Sequence, residues 1–196
     1  MRIENSEILL WVEEKPAELP QHYLSVLSLR EQEEMQKIPN KNRQLEYAMP
    51  RFMLRELLNN SYSEIIYDSN GKPTMANQSI SISHSKNYVA VIVGKNKNVS
   101  VDVEEYREQV MNVAHKFVLA EEKTDFNSLE DLILLWSAKE TLFKLTNATP
   151  DFKKFRVKKT DKHLCGEVLN EGVAKSIKMS YFRGEKYCLV WTASPI

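Results

Sequence analysis

Short stretches in which apolar and polar residues alternate run through the middle of the chain, and this alternation is typical of β-strands. Residues 79–83, 88–93 and 99–103 each predict a strand, and the GKNKN segment between the last two predicts a turn. Earlier in the chain, EILLWVEE at residues 7–14 predicts a first strand. The C-terminal part, which ends in a further apolar run, predicts more short strands.

The apolar spacing becomes helical over residues 24–59, with a break at Pro39. Pro50 lies inside the second of these helical segments. There it either kinks the helix or begins another one, because proline lacks the backbone N–H of a regular helix. Residues 128–147 predict a clear helix with Ser128 as its N-cap and acidic residues in its first turn, where they suit the helix dipole.

A weak internal echo links the two halves of the chain. Residues 83–94 read SHSKNYVAVIVG, and residues 180–193 read SYFRGEKYCLVWTA. Each segment has a serine, a polar turn with a lysine, and then a tyrosine that leads into an apolar strand. Two similar halves, each with helices and strands, fit this echo.

Composition narrows the class of protein. The 196 residues suffice for one large domain or two small ones, and 27 basic residues balance 27 acidic ones. A net charge of zero argues against a general nucleic-acid binder. The two cysteines resemble neither a disulfide framework nor a metal site, and the apolar run near the N-terminus is too short for a signal sequence or a membrane span. We therefore expect a cytoplasmic protein without nucleic-acid or membrane partners.

Two carboxylates end the strand predicted at residues 99–103. Asp102 and Glu104 are two positions apart, so they point to one face of the strand. Paired carboxylates on one face suit a hard divalent cation such as Mg²⁺, which often bridges a substrate phosphate. Taken alone, the pair also fits an edge strand whose polar side lies in water.

The apolar helix predicted at residues 128–147 also carries charges. Glu140 and Lys144 are one turn apart on the same face, and Trp136 lies one turn before Glu140. Such charges fit an ordinary surface ion pair. They fit equally well side chains that face a cavity or a ligand.

Candidate phosphate-binding residues lie nearer the N-terminus. His84 follows a predicted strand and has Ser83 before it, so an imidazolium, hydroxyls and backbone N–H groups could bind one phosphate. The same histidine also fits a purely structural turn. Arg43, Arg51 and Arg55 give one predicted helix a basic face that lies in water or reaches a phosphate.

Taken in order, these segments resemble the 4′-phosphopantetheinyl transferases of the surfactin-synthetase-activating type. That family typically has a GKP turn, an SHS segment, a G-[IV]-D-[IV]-E strand and a W-[ST]-x-K-E-x-x-x-K helix. The corresponding segments here are GKP at 71–73, SHS at 83–85, VDVE at 101–104, and WSAKE at 136–140 with Lys144. The chain departs from the pattern at Ser100, where the family has glycine, and after Lys144, where Asn147 is predicted to supply a turn in place of glycine.

The resemblance implies transfer of 4′-phosphopantetheine from coenzyme A to a serine of an acyl or peptidyl carrier protein, with release of 3′,5′-ADP. It implies that Asp102, Glu104 and Glu140 hold Mg²⁺ and that Asp102, Glu140 and Lys144 are catalytic. It further implies that the donor contacts Arg43, Lys72, Ser83, His84, Lys139 and Lys144. The base that deprotonates the carrier serine is then either Glu140 or a water on the metal.

From this resemblance we expect an α+β fold of two similar subdomains related by a pseudo-twofold axis, residues 1–97 and 98–196. Each subdomain is a small, mainly antiparallel sheet packed against a long helix. The site is expected in a cleft between the halves of a monomer, and the carrier is expected to present an acidic helix.

Two alternative functions remain open on the sequence. A degenerate relative that binds coenzyme A or a carrier without transfer is disfavoured by the presence of Asp102, Glu104, Glu140 and Lys144. A Mg²⁺-dependent nuclease or phosphatase would need further acidic clusters, which the sequence does not offer.

Overall fold

The computed structural model describes residues 1–146, 151–168 and 175–195. The helices are α1 (Gln21–Ser25), α2 (Leu29–Gln36), α3 (Lys41–Leu58), α4 (Gln109–Val113) and α5 (Leu129–Thr146). The N-terminal strands are β1 (Arg2–Glu4), β2 (Ile8–Glu14), β3 (Ile66–Tyr67), β4 (Pro73–Thr74), β5 (Ser79–His84) and β6 (Tyr88–Gly94). The remaining strands are β7 (Lys97–Glu105), β8 (Phe155–Lys159), β9 (Leu164–Val168), β10 (Lys175–Arg183) and β11 (Tyr187–Pro195).

The first sheet has the strand order β1-β2-β6-β5, and its neighbouring strands are antiparallel. Alternate residues of β6 face two different cores. Val91 packs with Met49 and Met53 of α3, whereas Ile92 packs against the second sheet. Because both faces of β6 are buried, its sequence YVAVIVG is apolar throughout instead of alternating.

The second sheet has the order β7-β11-β10-β9-β8 and is also antiparallel. Helix α5 covers one face, where Leu134, Ala138 and Leu142 pack with Met179 and other core residues. On the opposite face, valines of β7 pack against the first sheet. The helix α3, the two sheets and the helix α5 therefore form successive layers.

The edge strands β5 and β7 lie side by side where the two sheets meet. The rings of Tyr88 and Tyr187, which begin the strands β6 and β11, lie 4.4 Å apart between centroids. These are the two tyrosines that occupy equivalent places in the internal echo. A contact between equivalent positions fits a pseudo-twofold axis that passes close to them.

The α+β class with antiparallel sheets is confirmed, and so are the strands predicted around residues 7–14, 79–83, 88–93 and 99–103. Ser128 Oγ accepts the backbone N–H of Asp131 at 3.1 Å, which confirms the predicted N-cap of α5. The predicted turn at Asn147 lies outside the described residues.

Pro50 does not begin a new helix, because α3 runs from Lys41 to Leu58 as one element. The proline removes one backbone donor from the helix interior. Its neighbours Met49, Met53 and Leu54 are fully buried against the first sheet. Burial of this face stabilises the helix enough to override the poor helical propensity of proline.

Asp131 anchors the start of α5 to the second sheet. Its Oδ1 accepts from Arg183 and, at 3.0 Å, from Lys159 Nζ, and its Oδ2 accepts from Ser128 Oγ at 3.0 Å. Burial opposes ionisation, but these donors lower the pKa of Asp131 to about 2. A carboxylate with a depressed pKa stabilises the fold above its unfolded pKa, and that contribution is lost as the pH falls towards the folded value.

We therefore expect Asp131→Asn to lower the free energy of unfolding by roughly 1–2 kcal/mol at pH 7, with a smaller effect at pH 3. Urea unfolding at both pH values measures the difference. Asp125→Asn is the matched control, because Asp125 is exposed. An effect of Asp131→Asn that does not depend on pH would contradict the assignment.

Within residues 1–146, 151–168 and 175–195, none of the helices combines the length and apolar character that crossing a membrane requires.

Candidate active site

Hydrogen bonds join helix α5 to strand β7, and the candidate site lies where these two elements meet. Trp136 Nε1 donates to Glu104 Oε1 at 2.9 Å, and Ser137 Oγ donates to the Asp102 carbonyl at 3.3 Å. Two turns further along the helix, Lys144 Nζ reaches the backbone of the same strand at 3.2 Å. Trp136 and Lys144 of α5 therefore lie against the part of β7 that carries the two carboxylates.

Asp102 is the most enclosed of the predicted site residues on β7, with 4% of its surface exposed. Its Oδ1 accepts from Lys144 Nζ at 2.7 Å and from Ser83 Oγ at 2.8 Å. Its Oδ2 is buried and has no hydrogen-bond partner among the described residues. Asp102 therefore does not fit the alternative of an edge strand whose polar side lies in water.

Glu104 and Glu140 lie close enough to Asp102 for their charges to interact. Burial and the Asp102 charge raise the pKa of Glu104, although Arg107 and Trp136 hydrogen-bond to its carboxylate. Burial and the charges of Asp102 and Glu104 raise the pKa of Glu140 to about 7, with Lys144 acting in the opposite direction. The three carboxylates that were predicted to share a site are thus near enough to influence one another's ionisation.

This donor set suits Mg²⁺ in kind, because carboxylate oxygens are the ligands that the ion prefers. A buried acceptor without a partner, such as Asp102 Oδ2, is costly, and a cation would satisfy it. A cation would also relieve the repulsion that raises the pKa of Glu140. Among the described residues, however, no three His, Cys, Asp or Glu side chains are grouped so that they could hold a metal ion. Lys144 and Arg107 bind Asp102 and Glu104 instead.

Lys139 was expected to contact the donor, but it is turned into the protein core. Its Nζ donates to the Phe117 carbonyl at 2.6 Å and to Glu122 Oε2 at 2.8 Å, and both side chains of this ion pair are fully buried. Glu122 also accepts the backbone N–H of Val157 at 2.8 Å. The donor-binding role of Lys139 conflicts with this placement, since its ammonium is inaccessible and already has oxygen partners.

Ser83 lies inside the site, yet its placement does not suit donor binding. Its hydroxyl is hydrogen-bonded to Asp102, to Lys144 and to the backbone N–H of Val103. A hydroxyl has one donor and two acceptor positions, so no capacity is left for a phosphate.

A second cluster, the Glu46 cluster, lies beside the carboxylates and joins α3 to the end of β5. Glu46 on α3 accepts from Lys15 Nζ at 2.7 Å and from the Arg43 guanidinium at 2.8 Å. His84 Nδ1 lies 3.6 Å from the same carboxylate. The charge of Lys144 lowers the pKa of His84, which places this cluster next to the carboxylate site. Arg43 and His84, both predicted to contact the donor, are thus brought together.

Lys72 lies apart from this cluster. It lines a separate cavity of about 500 Å³ with residues from the opposite ends of the strands, among them Ser79 and Lys97. Of the described residues that form this cavity, none belongs to the carboxylate site or the Glu46 cluster. A shared contact of Lys72 and Arg43 with one end of the donor therefore gains no support from the structure.

Three residues at the site were missed by sequence reasoning as site components. Trp136 and Arg107 both donate hydrogen bonds to Glu104. Glu46 accepts from the cationic groups that surround its own carboxylate. Trp136 gave a signal through its helical spacing from Glu140. Glu46 gave none, since its partners lie in distant segments.

We expect Glu46→Gln to lower the pKa of His84. Burial lowers the pKa of this imidazole, and the Glu46 charge raises it, so removal of that charge leaves the lowering influences unopposed. Two-dimensional NMR of the imidazole resonances over a pH series measures the change. The exposed Glu56 lies on the same helix, so Glu56→Gln is the control. A higher or unchanged His84 pKa in Glu46→Gln would contradict the predicted coupling.

A family model described as the 4′-phosphopantetheinyl transferase superfamily matches residues 98–192, which include β7, α5 and the three carboxylates. A comparison with curated proteins finds no match.

Proposed function

We infer that the chain belongs, through residues 98–192, to the 4′-phosphopantetheinyl transferase superfamily. On that premise we propose that it transfers 4′-phosphopantetheine from coenzyme A to a serine of an acyl or peptidyl carrier protein. The reaction depends on Mg²⁺ and releases 3′,5′-ADP. The surfactin-synthetase-activating subtype is part of this proposal, supported by the GKP and SHS segments that precede the matched residues.

One observation carries the proposal: Asp102 and Lys144 form an ion pair where α5 crosses β7, and Glu140 lies one helical turn before Lys144. Asp102 pairs with Lys144 at 2.7 Å, and the charges of Asp102 and Glu104 raise the pKa of Glu140. Carboxylates that repel one another beside a lysine suit a cation and a phosphate together. A site of this composition supports phosphoryl-group chemistry more than it supports a structural ion pair.

In the proposed reaction, the serine oxygen of the carrier attacks the phosphorus that bears pantetheine, and the bond from this phosphorus to the 3′,5′-ADP oxygen breaks. Glu140 accepts the serine proton as the general base. Lys144 offsets the negative charge of the phosphate oxygens. Asp102, Glu104 and Glu140 would hold Mg²⁺, which would supply electrostatic stabilisation of the phosphate of 3′,5′-ADP as it leaves.

The Glu46 cluster is proposed to receive the phosphoadenosine end of the donor. Arg43 and His84 lie next to the carboxylate site, as a donor with phosphates at both places requires. Lys72 is proposed as a separate contact to the donor, because the cavity that it lines is distinct from the Glu46 cluster. Lys139 and Ser83 are removed from the donor-binding set.

The partners and organisation remain proposals as well. All the residues of the proposed site lie on one chain, which supports a monomer, and light scattering on the purified protein tests this. The boundary between the subdomains is proposed at residues 97 and 98. It is supported by the division into two sheets, since β6 of the first sheet ends at Gly94 and β7 of the second begins at Lys97. A cytoplasmic location and an acidic carrier helix follow from the expected partner.

The proposed function is tested by chromatographic detection of 3′,5′-ADP. Release is expected only when the protein, coenzyme A, Mg²⁺ and an apo-carrier are all present. Binding of coenzyme A without any release, tried with several carriers, would favour the degenerate binding protein and contradict the transferase.

A further inference from the structure

Strands β5 and β7 are joined by serine side chains instead of a backbone ladder. The hydroxyls accept backbone N–H groups at 3.2 Å in three pairs: Ser79–Val99, Ser81–Val101 and Ser83–Val103. Alternate residues of a strand point the same way, so serines two apart can all reach the neighbouring strand. This serine ladder connects the edges of the two sheets.

Ser83 differs from the other two serines of the ladder. Its hydroxyl donates to Asp102 Oδ1 at 2.8 Å and accepts from Lys144 Nζ at 3.0 Å as well as from the Val103 N–H. A carboxylate can only accept and an ammonium can only donate, so the direction of each bond is fixed. The Ser83 hydroxyl is therefore fully used, and it links the sheet junction to two residues of the proposed site.

We propose that Ser83 is a positioning residue, which holds Asp102 and Lys144 in register with the junction between the two sheets. The proposal rests on the proposed function of those two residues. By occupying Asp102 Oδ1 together with Lys144, Ser83 fixes the carboxylate and leaves Oδ2 as its free oxygen.

The first test compares Ser83→Ala with Ser81→Ala, because each change removes one ladder hydrogen bond but only the first touches the site. In Ser83→Ala, kcat is expected to fall about tenfold and the Mg²⁺ concentration for half-maximal rate to rise about tenfold. The KM for coenzyme A should change less than about twofold, since Ser83 does not bind the donor. In Ser81→Ala, all three quantities should stay within about twofold of the wild type.

The second test measures stability without metal or substrate. Urea midpoints of Ser83→Ala, Asp102→Asn and the double variant should be non-additive, because the residues share a hydrogen bond. Ser81→Ala and Asp102→Asn should add. Where Ser83→Ala does not fold, Ser83→Cys and Ser81→Cys make the same comparison, since a thiol keeps the shape and weakens the hydrogen bonds.

Equal kinetic losses in the two alanine variants would overturn the proposal and leave the ladder as a structural feature only. A raised KM for coenzyme A with an unchanged kcat in Ser83→Ala would also overturn it, because the serine would then contact the donor. If the wild type transfers nothing, the proposed function fails, but the stability comparison still decides whether Ser83 holds Asp102.

Discussion

Glu140→Gln is expected to lower the rate of phosphopantetheine transfer by about 10²–10⁴-fold, the range for loss of a general base. The same change should make the metal-free protein more stable at pH 8. Burial and the charges of Asp102 and Glu104 raise the pKa of Glu140 to about 7, so folding favours its protonated form. The penalty for the charged form develops as the pH rises from about 4.5 to 7 and is complete above that range. Glutamine carries no charge and avoids this penalty.

Transfer rates and urea unfolding at pH 5 and pH 8 measure both effects in one set of proteins. Glu130→Gln is the matched control, because Glu130 lies on the same helix but is exposed. Normal turnover by Glu140→Gln would remove this residue from the mechanism. A loss of stability at pH 8 would show that its charge is compensated in the metal-free protein.

Asp102→Asn is expected to lower transfer by about 10²–10³-fold, in the range for the loss of one electrostatic group at a reacting centre. It should also raise the Mg²⁺ concentration that gives half-maximal rate. Asp102 holds Lys144 at 2.7 Å, and its charge raises the pKa of both Glu104 and Glu140. Without that charge, the pKa of Glu140 in the metal-free protein falls towards its ordinary value.

The measurement is a Mg²⁺ titration of the transfer rate at several pH values. Glu105→Gln serves as the control, since Glu105 lies on the same strand but binds Asn87 outside the site. An unchanged Mg²⁺ titration in Asp102→Asn would place the metal elsewhere.

Local sequence patterns predicted the elements that carry the site. Alternation marked β5 and β7, and the apolar spacing after Ser128 marked α5. The two-residue spacing of Asp102 and Glu104 and the one-turn spacing of Glu140 and Lys144 are properties of single elements. Sequence alone could therefore place each pair, and the ordered motifs linked the two pairs.

Contacts between distant segments were not predictable in the same way. Lys139 stands beside Glu140 in the motif, yet helix geometry turns it to a buried partner, Glu122, which nothing in the sequence connects to it. Ser83 looked like a phosphate ligand because hydroxyls bind phosphates. Only the position of β7 beside β5 shows that its hydrogen bonds are already used. Glu46 belongs to the site because it contacts Lys15 and His84, and long stretches of chain separate both residues from it.

The most direct test of the account is intact-mass spectrometry of an apo acyl carrier protein incubated with this protein, coenzyme A and Mg²⁺. The account predicts that the carrier gains the mass of one phosphopantetheine, and that the gain disappears with a chelator or with Glu140→Gln. An unmodified mass with several acyl and peptidyl carriers, under conditions in which the protein is folded and binds coenzyme A, would contradict it.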